Sequence, residues 1–240
     1  VISPNRPSDA RFVGGLSQQQ VARIEAILDG FNTYSVSLEQ RAYILATAFH
    51  ESDQFRTMTE YASGEAYEGR ASLGNTQKGD GKKFKGRGFV QITGRRNYAD
   101  WAVRLGVALL KEPSKAADLH FATIILIEGM LKGTFTGKSL PDYVNAGKKD
   151  YVGARRVVNG KDKAGMIAGY ALKFEAALRA ASKVPAAPPP VPVQPVPSVP
   201  VSEVALEEER PPVGKAEAPA TPAAKQSNRN GFIVDRKSVV

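Results

Sequence analysis

Prolines divide this chain into two parts with different folding potential. Of the 16 prolines, four precede Val184 and twelve follow it. Because proline lacks a backbone donor and fixes φ, this density disfavours regular helices and central strands. From Val184 to about Lys225 the other residues are mainly valine and alanine, without hydrophobic periodicity. We therefore predict one folded domain over residues 1–183 and a disordered, semi-extended tail over residues 184–240.

The first part carries helical signals at regular intervals. Two capping boxes, Ser17-Gln18-Gln19-Gln20 and Ser37-Leu38-Glu39-Gln40, are each followed by apolar residues at spacings of three and four. These helices should end at Gly30 and at His50-Glu51. Further helices are predicted over residues 97–105, 115–131, 150–158 and 162–181, the last with Met166, Tyr170, Phe174 and Leu178 on its buried stripe. Six helices with one or two short extended pieces make a mostly α domain.

Charge and cysteine content limit the function classes. The net charge of +9 belongs to the predicted domain, because six basic and six acidic residues cancel in the tail. A basic domain attracts polyanions such as nucleic acid, anionic lipid or a bacterial wall. The absence of cysteine excludes disulfides and thiolate metal sites, and with two histidines we expect no metal or cofactor. No apolar run is long enough to span a membrane, and no signal peptide is visible.

The motif most informative for function is the segment Phe84-Lys-Gly-Arg-Gly-Phe-Val-Gln-Ile-Thr-Gly94. Its Gly-Arg-Gly step allows the backbone to approach a ligand closely. If the segment is extended, period-two alternation places the side chains of Gln91 and Thr93 on one side. The upstream sequence supplies two carboxyls, Glu51 and Glu60. Two carboxyls, a hydroxyl and an amide facing one cleft are the groups that a glycosidase needs.

Glu51 and Glu60 could not serve one cleft from one unbroken helix. Nine residues at about 100° each would leave them on opposite faces and roughly 13 Å apart along the axis. We therefore predict a break near Gln54–Thr57 that folds Glu60 back across from Glu51. An inverting glycosidase separates its carboxyls by roughly 6.5–9.5 Å.

In this scheme Glu51, at the end of a buried helix, is the better acid, and Glu60, at the start of a polar loop, is the better base. Thr93 would hold the attacking water and Gln91 would bond the sugar. Two alternatives stay open: both glutamates are ordinary solvated carboxylates that pair with arginines, or the base is Glu65 or Glu68 in the loop.

Several motifs in this order resemble the core of glycoside hydrolase family 19, which includes chitinases and phage or prophage endolysins. They are Phe49-His50-Glu51-Ser52, the segment from Lys85 to Gly94, Asn97-Tyr98, and Arg155-Arg156-Val157-Val158-Asn159-Gly160. The similarity covers about residues 17–178, and the nine-residue step from Glu51 to Glu60 resembles the endolysin branch. One departure weakens a chitin assignment: Lys161-Asp162-Lys163 stands where chitinases carry an acidic residue.

The resemblance implies a lysozyme-like, two-lobed helical domain. It also implies that Glu51 is the acid, Glu60 the base and Thr93 the water-holding hydroxyl. The candidate substrate-binding residues are Gln91, Asn97, Tyr98, Asn159 and His50. Of these, Tyr98 is also explained as a core residue and His50 as a structural hydrogen-bonding residue.

We accordingly expect a peptidoglycan-degrading endolysin or muramidase that hydrolyses β-1,4 glycosidic bonds by an inverting, two-carboxylate mechanism. The alternatives are a chitinase, a lytic transglycosylase with one glutamate, and a non-catalytic basic domain that binds the cell wall. The expected partner is a polysaccharide, not nucleic acid, and the expected state is a monomer. We expect synthesis in a bacterial or phage-infected cytoplasm and action on the wall in the periplasm.

Overall fold

The computed structural model describes residues 15–183; the first 14 residues and the predicted tail, residues 184–240, lie outside the described residues. The described part contains six α-helices: α1 Gln18–Gly30, α2 Leu38–Glu51, α3 Asp80–Lys83, α4 Arg95–Leu105, α5 Leu119–Lys132 and α6 Ala164–Ala181. A short antiparallel hairpin joins β1 Val144–Asn145 to β2 Lys148–Lys149. The predicted mostly α class is confirmed.

Both predicted capping boxes start helices. The Ser17 hydroxyl accepts a hydrogen bond from the Gln20 amide at 3.3 Å, and the Gln20 side chain accepts one from the Ser17 amide at 3.0 Å. Ser37 and Gln40 make the same reciprocal pair at the start of α2. Each box satisfies amide groups that have no partner within the helix, so these two helix starts are encoded locally.

The α2 helix is the buried centre of the domain. It packs most extensively against α6, while α1 packs against α5. The Phe49 ring makes edge-on contacts with Tyr170 and Phe174 of α6, at centroid distances of 4.9 and 5.9 Å. A helix that is apolar almost all round is typical of a core position. As a result, the last residue of α2, Glu51, lies inside the protein.

The predicted buried stripe of α6 is wrong by about one residue. Met166 is 51% exposed, and the residues that face the core are Ile167, Ala171 and Glu175. Small alanines let α6 approach α2 closely, whereas the larger Tyr170 and its neighbours Phe174 and Leu178 pack at the edge of the core. Counting large apolar side chains therefore identified the edge of the contact rather than its centre.

Two other helix predictions need correction. Residues predicted as a helix over 150–158 form a short 3-10 helix, Gly153–Val157. The Asp150 carboxylate accepts a hydrogen bond from the Gly153 amide at 2.7 Å and so fixes a tight first turn. The helix predicted from Lys115 begins as a separate 3-10 helix, Pro113–Ala117, and α5 starts only at Leu119.

The segment predicted to be extended after Gly86-Arg87-Gly88 is instead a closed turn. Arg87 and Ile92 exchange backbone hydrogen bonds at 3.2 and 2.9 Å, and Gln91 has a left-handed φ of 53°. The period-two argument that aligned Gln91 with Thr93 therefore does not apply. No helix within residues 15–183 is long and apolar enough to cross a membrane.

Candidate active site

The carboxylate of Glu51 is buried and paired with a buried cation. Glu51 is 3% exposed and Arg155 is 1% exposed, and the Arg155 Nη1 atom lies 2.6 Å from the Glu51 Oε1 atom. Arg155 comes from the 3-10 helix at Gly153–Val157, and its Nε atom donates to the Asp162 carbonyl at 3.0 Å. Removing one member of such a pair leaves an uncompensated buried charge, which costs about 3–5 kcal/mol. This pair joins the end of α2 to the segment that precedes α6.

The predicted break after Glu51 is confirmed, although it begins earlier than Gln54. The chain turns through three consecutive non-glycine residues with left-handed φ, namely Asp53 at 50°, Gln54 at 60° and Phe55 at 62°. For residues with a Cβ this conformation costs about 1–2 kcal/mol each. The Ser52 hydroxyl supports the turn because it donates to the Ala48 carbonyl at 2.7 Å and accepts from the Phe55 amide at 3.1 Å. We call residues 53–55 the left-handed turn.

After the left-handed turn, the chain pairs with the Gly-Arg-Gly motif. The Glu60 amide donates to the Gly86 carbonyl at 2.9 Å, and the Gly88 amide donates to the Met58 carbonyl at 2.9 Å. Thr59 and Arg87 lie opposite each other in an antiparallel bridge. The Glu60 segment is therefore fixed by backbone hydrogen bonds to the motif that the sequence had singled out.

The Glu60 carboxylate accepts two hydrogen bonds in a nearly closed setting. It is 9% exposed; the Tyr67 hydroxyl donates to Oε1 at 2.8 Å, and the Gly86 amide donates to Oε2 at 3.0 Å. A side chain at Gly86 would lie 2.9 Å from the Gln91 Oε1 atom and 3.2 Å from the Glu60 Oε2 atom. Residue 86 is glycine because the Gln91 and Glu60 side chains leave no room for a Cβ atom there. The Gln91 side chain therefore lies beside Glu60.

A chain of short-range hydrogen bonds orders the residues after Gly88. The Gln91 side-chain amide donates to the Gly88 carbonyl at 2.7 Å, and the Thr93 hydroxyl donates to the Gln91 carbonyl at 2.9 Å. The Asn97 side-chain amide, at the start of α4, then donates to the Thr93 carbonyl at 2.6 Å. Hydrogen bonds thus link three of the predicted site residues, of which Gln91 lies beside Glu60.

Tyr98 lies in the core rather than on a surface. It is fully buried, its hydroxyl donates to the Lys85 carbonyl at 2.8 Å, and the Arg87 guanidinium donates to that hydroxyl at 2.8 Å. Burial raises the pKa of Tyr98, the Arg87 charge opposes this, and the Glu60 charge adds to it. Tyr98 therefore holds Arg87 and Lys85 in place behind Glu60.

The two remaining candidates lie near Glu51. The His50 ring lies against Tyr170, with centroids 6.5 Å apart. Asn159 follows the Arg155 segment, where its amide donates to the Arg155 carbonyl at 3.0 Å and its side chain accepts from the Gly160 amide at 2.8 Å. Asn159 is half-exposed, so its side chain can reach a ligand. Their roles in substrate binding stay predictions.

The two alternative bases have other partners. The Glu68 carboxylate accepts from the Gly79 amide at 2.6 Å and from the Gly81 amide at 2.8 Å, so it ties the loop together. Glu65 is exposed and pairs with Lys82 at 2.7 Å. Both residues are exposed, whereas Glu60 is only 9% exposed.

Sequence reasoning missed Arg155 and Tyr67 as partners of the two carboxylates. A buried glutamate at a helix end needs a cation, but the sequence does not specify which arginine supplies it. No sequence signal pointed to Tyr67, because loop residues have no periodicity. Within residues 15–183, no group of three or more His, Cys, Asp or Glu side chains is arranged to hold a metal ion.

The mostly helical fold, with its two buried carboxylates, is similar to a solved chitinase fold. The structure is similar to the crystal structure of chitinase C from Streptomyces griseus, with a TM-score of 0.52 and 16% identity, covering 69% of this chain and 79% of that one. A family GH19, class IV chitinase from Zea mays gives a TM-score of 0.47 at 18% identity, over 69% of this chain and 87% of that one. At such identity, the likeness to chitinase C establishes the fold alone.

In sequence, the chain is 38% identical over 75 residues to a glycosyl hydrolase family 19 domain-containing protein from Haemophilus influenzae. The matched stretch is 30% of this chain and 36% of that protein. No family model matches the chain. The match supports the resemblance to glycoside hydrolase family 19 that the motifs indicated.

Proposed function

We propose that this protein is a glycoside hydrolase of the endolysin or muramidase type, which cleaves β-1,4 bonds in peptidoglycan by an inverting mechanism. The observation that carries the proposal is the placement of Glu51 and Glu60. Both carboxylates are buried, they lie on either side of the left-handed turn, and each has its own set of partners. Buried carboxyl pairs with different surroundings are typical of general acid–base catalysis.

Glu51 acts as the general acid in this mechanism. In the resting protein Glu51 is the ionised partner of Arg155, and it takes up a proton from solvent before the catalytic step. That proton passes to the glycosidic oxygen as the bond between the anomeric carbon and this oxygen breaks. The Arg155 guanidinium then faces a carboxylate, which it stabilises by charge and by a hydrogen bond.

Glu60 acts as the general base. Both of its oxygens accept hydrogen bonds, as a carboxylate can, and each keeps a further lone pair for a water. The water oxygen attacks the anomeric carbon from the opposite face while one of its protons moves to Glu60. The Thr93 hydroxyl oxygen accepts a hydrogen bond from this water, and the side chain of Gln91 contacts the sugar. Proton exchange with solvent returns both carboxyls to their starting states.

Charge supports peptidoglycan as the substrate. The chain carries a net charge of +9, and the loop next to Glu60 contributes Lys78, Lys82, Lys83 and Lys85. Peptide stems of peptidoglycan carry carboxylates, whereas chitin is neutral, so a basic surface favours the former. A chitinase is the second candidate, because a solved structure with a similar fold is a chitinase. In our proposal the protein is made in a bacterial or phage-infected cytoplasm and acts as a monomer on the wall.

Digestion of purified peptidoglycan and of chitin oligomers tests the proposal. Wild type, Glu51→Gln and Glu60→Gln are compared by reducing-end assay and mass spectrometry, and NMR of a freshly cleaved oligomer reports the anomer released. We expect reducing muramic acid ends from peptidoglycan, an inverted anomer, and a loss of activity of at least ~10³-fold in each variant. Anhydro sugars with an active Glu60→Gln variant would mean a lytic transglycosylase. Binding without release of any saccharide would mean a non-catalytic wall-binding domain.

A further inference from the structure

Two side chains of α1 reach across to the backbone of the left-handed turn. The Gln20 side-chain amide donates to the Gln54 carbonyl at 2.9 Å, and the Arg23 Nη1 atom donates to the Phe55 carbonyl at 2.7 Å. More than thirty residues of sequence separate the partners in each case. Two consecutive carbonyls of the turn are therefore held from outside it.

The left-handed turn needs such support. Three consecutive residues with a Cβ adopt a conformation that each resists, so the turn has an intrinsic tendency to relax toward right-handed or extended backbone. The turn is also held through its side chains: Phe55 is buried against Phe89 and Phe174, and the Tyr61 hydroxyl donates to the Asp53 carboxylate at 3.2 Å. These contacts hold side chains, whereas the contacts from α1 hold two backbone carbonyls of the turn itself.

The α1 helix provides a fixed support. It packs against α5, its Ile27 side chain is fully buried, and the Gln20 side chain is itself oriented by the capping box with Ser17. One end of the Gln20 amide thus fixes the start of α1, and the other end holds the turn. Long-range hydrogen bonds from a rigid element are an effective way to maintain strained backbone.

We propose that Gln20 and Arg23 are positioning residues that hold the left-handed turn and thereby set the spacing of Glu51 and Glu60. Glu51 lies two residues before the turn and Glu60 five residues after it, so relaxation of the turn strains the contacts that hold each carboxyl and shifts one carboxyl relative to the other. The inference rests on the proposed function, in which both carboxyls act on one sugar. A displacement of about 1 Å at a catalytic group can lower the rate about 100-fold.

The sharpest test is Gln20→Glu. Glutamate keeps the acceptor that completes the capping box but removes the donor to the Gln54 carbonyl. The chain offers a matched control in Gln40→Glu, because Gln40 completes the second box and donates to the Val144 carbonyl at 2.8 Å, away from the turn. On soluble peptidoglycan strands we expect kcat to fall at least about tenfold in Gln20→Glu with KM nearly unchanged. In Gln40→Glu we expect the melting temperature to fall at least as much as in Gln20→Glu, while kcat stays within about twofold of wild type.

Arg23 gives a second series. Arg23→Lys retains a donor that can reach the Phe55 carbonyl, and Arg23→Met removes it while keeping the length of the side chain. We expect kcat to decrease in the order wild type, Arg23→Lys, Arg23→Met. If both Gln20→Glu and Arg23→Met keep kcat within about twofold while losing as much stability as Gln40→Glu, the positioning role is wrong.

A rescue variant tests the mechanism directly. Glycine adopts left-handed φ without a steric penalty, so Gln54→Gly makes the turn less dependent on α1 while leaving its carbonyl in place. In the Gln20→Glu background, Gln54→Gly should restore kcat at least about threefold. Absence of recovery would show that the lost hydrogen bond acts through something other than the turn, which contradicts the proposal.

Failure of the proposed function can be told apart from failure of this inference. If wild type releases no saccharide from peptidoglycan or chitin, the proposed function is wrong. The effect on the turn is then measured by hydrogen exchange at the Gln54 and Thr57 amides, which donate to the Phe49 and Ser52 carbonyls. Faster exchange in Gln20→Glu than in Gln40→Glu supports the role of α1 in holding the turn. Equal exchange in the two variants contradicts it.

Discussion

Arg155 and Glu51 form an ion pair that is closed to solvent, although 104 residues separate them in the sequence. Breaking this pair should be among the most destabilising single changes in the domain. We expect Arg155→Met to lower the free energy of unfolding by about 3–5 kcal/mol, because the Glu51 carboxylate is left buried without its cation. Urea denaturation followed by circular dichroism measures the change.

The neighbouring Arg156→Met is the matched control for this variant. Arg156 is half-exposed, so its replacement should change stability by less than about 0.5 kcal/mol. The double variant Arg155→Met/Glu51→Gln should recover part of the loss, because the isolated charge is removed as well. Equal unfolding midpoints for Arg155→Met and Arg156→Met would contradict a stabilising ion pair.

Tyr67→Phe should disturb the position of the proposed base without unfolding the protein. It removes the hydroxyl that donates to the Glu60 Oε1 atom and leaves the ring in place. Because a small displacement of a catalytic group lowers the rate, we expect a loss of roughly tenfold in kcat. Steady-state kinetics on soluble peptidoglycan strands gives the value. Tyr143→Phe is the control. Tyr143 lies beside Lys148 in the hairpin region, so its variant should be as active as wild type.

Gly86→Ala should reduce activity because of crowding at the candidate site. The added methyl group would lie 2.9 Å from the Gln91 side chain and 3.2 Å from the Glu60 carboxylate, so one of them must shift. We expect at least about a tenfold loss of kcat from this displacement.

Gly165→Ala is the control for Gly86→Ala. A methyl group at Gly165 meets no atom within 4 Å, and the residue lies in the first turn of α6. We expect normal activity and a gain in stability of about 0.5–1 kcal/mol, because alanine favours helix. If Gly86→Ala is as active as Gly165→Ala, the close approach of Gly86 to Glu60 has no catalytic consequence.

Stability should fall at acid pH partly through Asp80. Hydrogen bonds from Arg95, at 2.5 and 2.8 Å, hold the pKa of this buried carboxyl below its usual value, and burial opposes them. Because the folded-state pKa is lowered, this stabilisation is complete above the unfolded value of about 3.9 and is lost as pH falls below it. Unfolding free energies between pH 7 and pH 2 test this.

In Asp80→Asn the free energy of unfolding should fall less between pH 7 and pH 2 than in wild type, and at pH 7 it should be lower than in wild type. The ion pair between Asp80 and Arg95 links α3 to the first residue of α4. Hydrogen exchange in residues 77–83 should therefore be faster in Asp80→Asn than in wild type. An acid transition of Asp80→Asn that superimposes on that of wild type would exclude this carboxyl as a contributor.

Local signals predicted five of the six α-helices in residues 15–183 but not α3, and contacts distant in sequence were not predicted. Ser17 and Ser37 mark two helix starts because a capping box is complete within four residues. The break after Glu51 followed from geometry alone, since an unbroken helix would separate the two carboxyls. The partner of Glu51 could not be derived in this way, because nothing local specifies which arginine is buried beside it.

Backbone handedness was the second kind of information that the sequence did not contain. Gln91 and the residues of the left-handed turn have φ values that favour glycine, yet none of them is glycine. Such conformations are imposed by tertiary contacts, as the hydrogen bonds from Gln20 and Arg23 illustrate. For this reason the segment after Gly88 was expected to be extended and is a closed turn.

The loop between Glu60 and Gly86 is fastened at several points, with the Glu68 carboxylate on two glycine amides and the Lys85 ammonium on the carbonyls of Glu60 and Ala62. A loop closed on itself in this way is ordered when the polypeptide folds. If the proposed function holds and this loop contacts the substrate, its ordering adds little entropic penalty to binding.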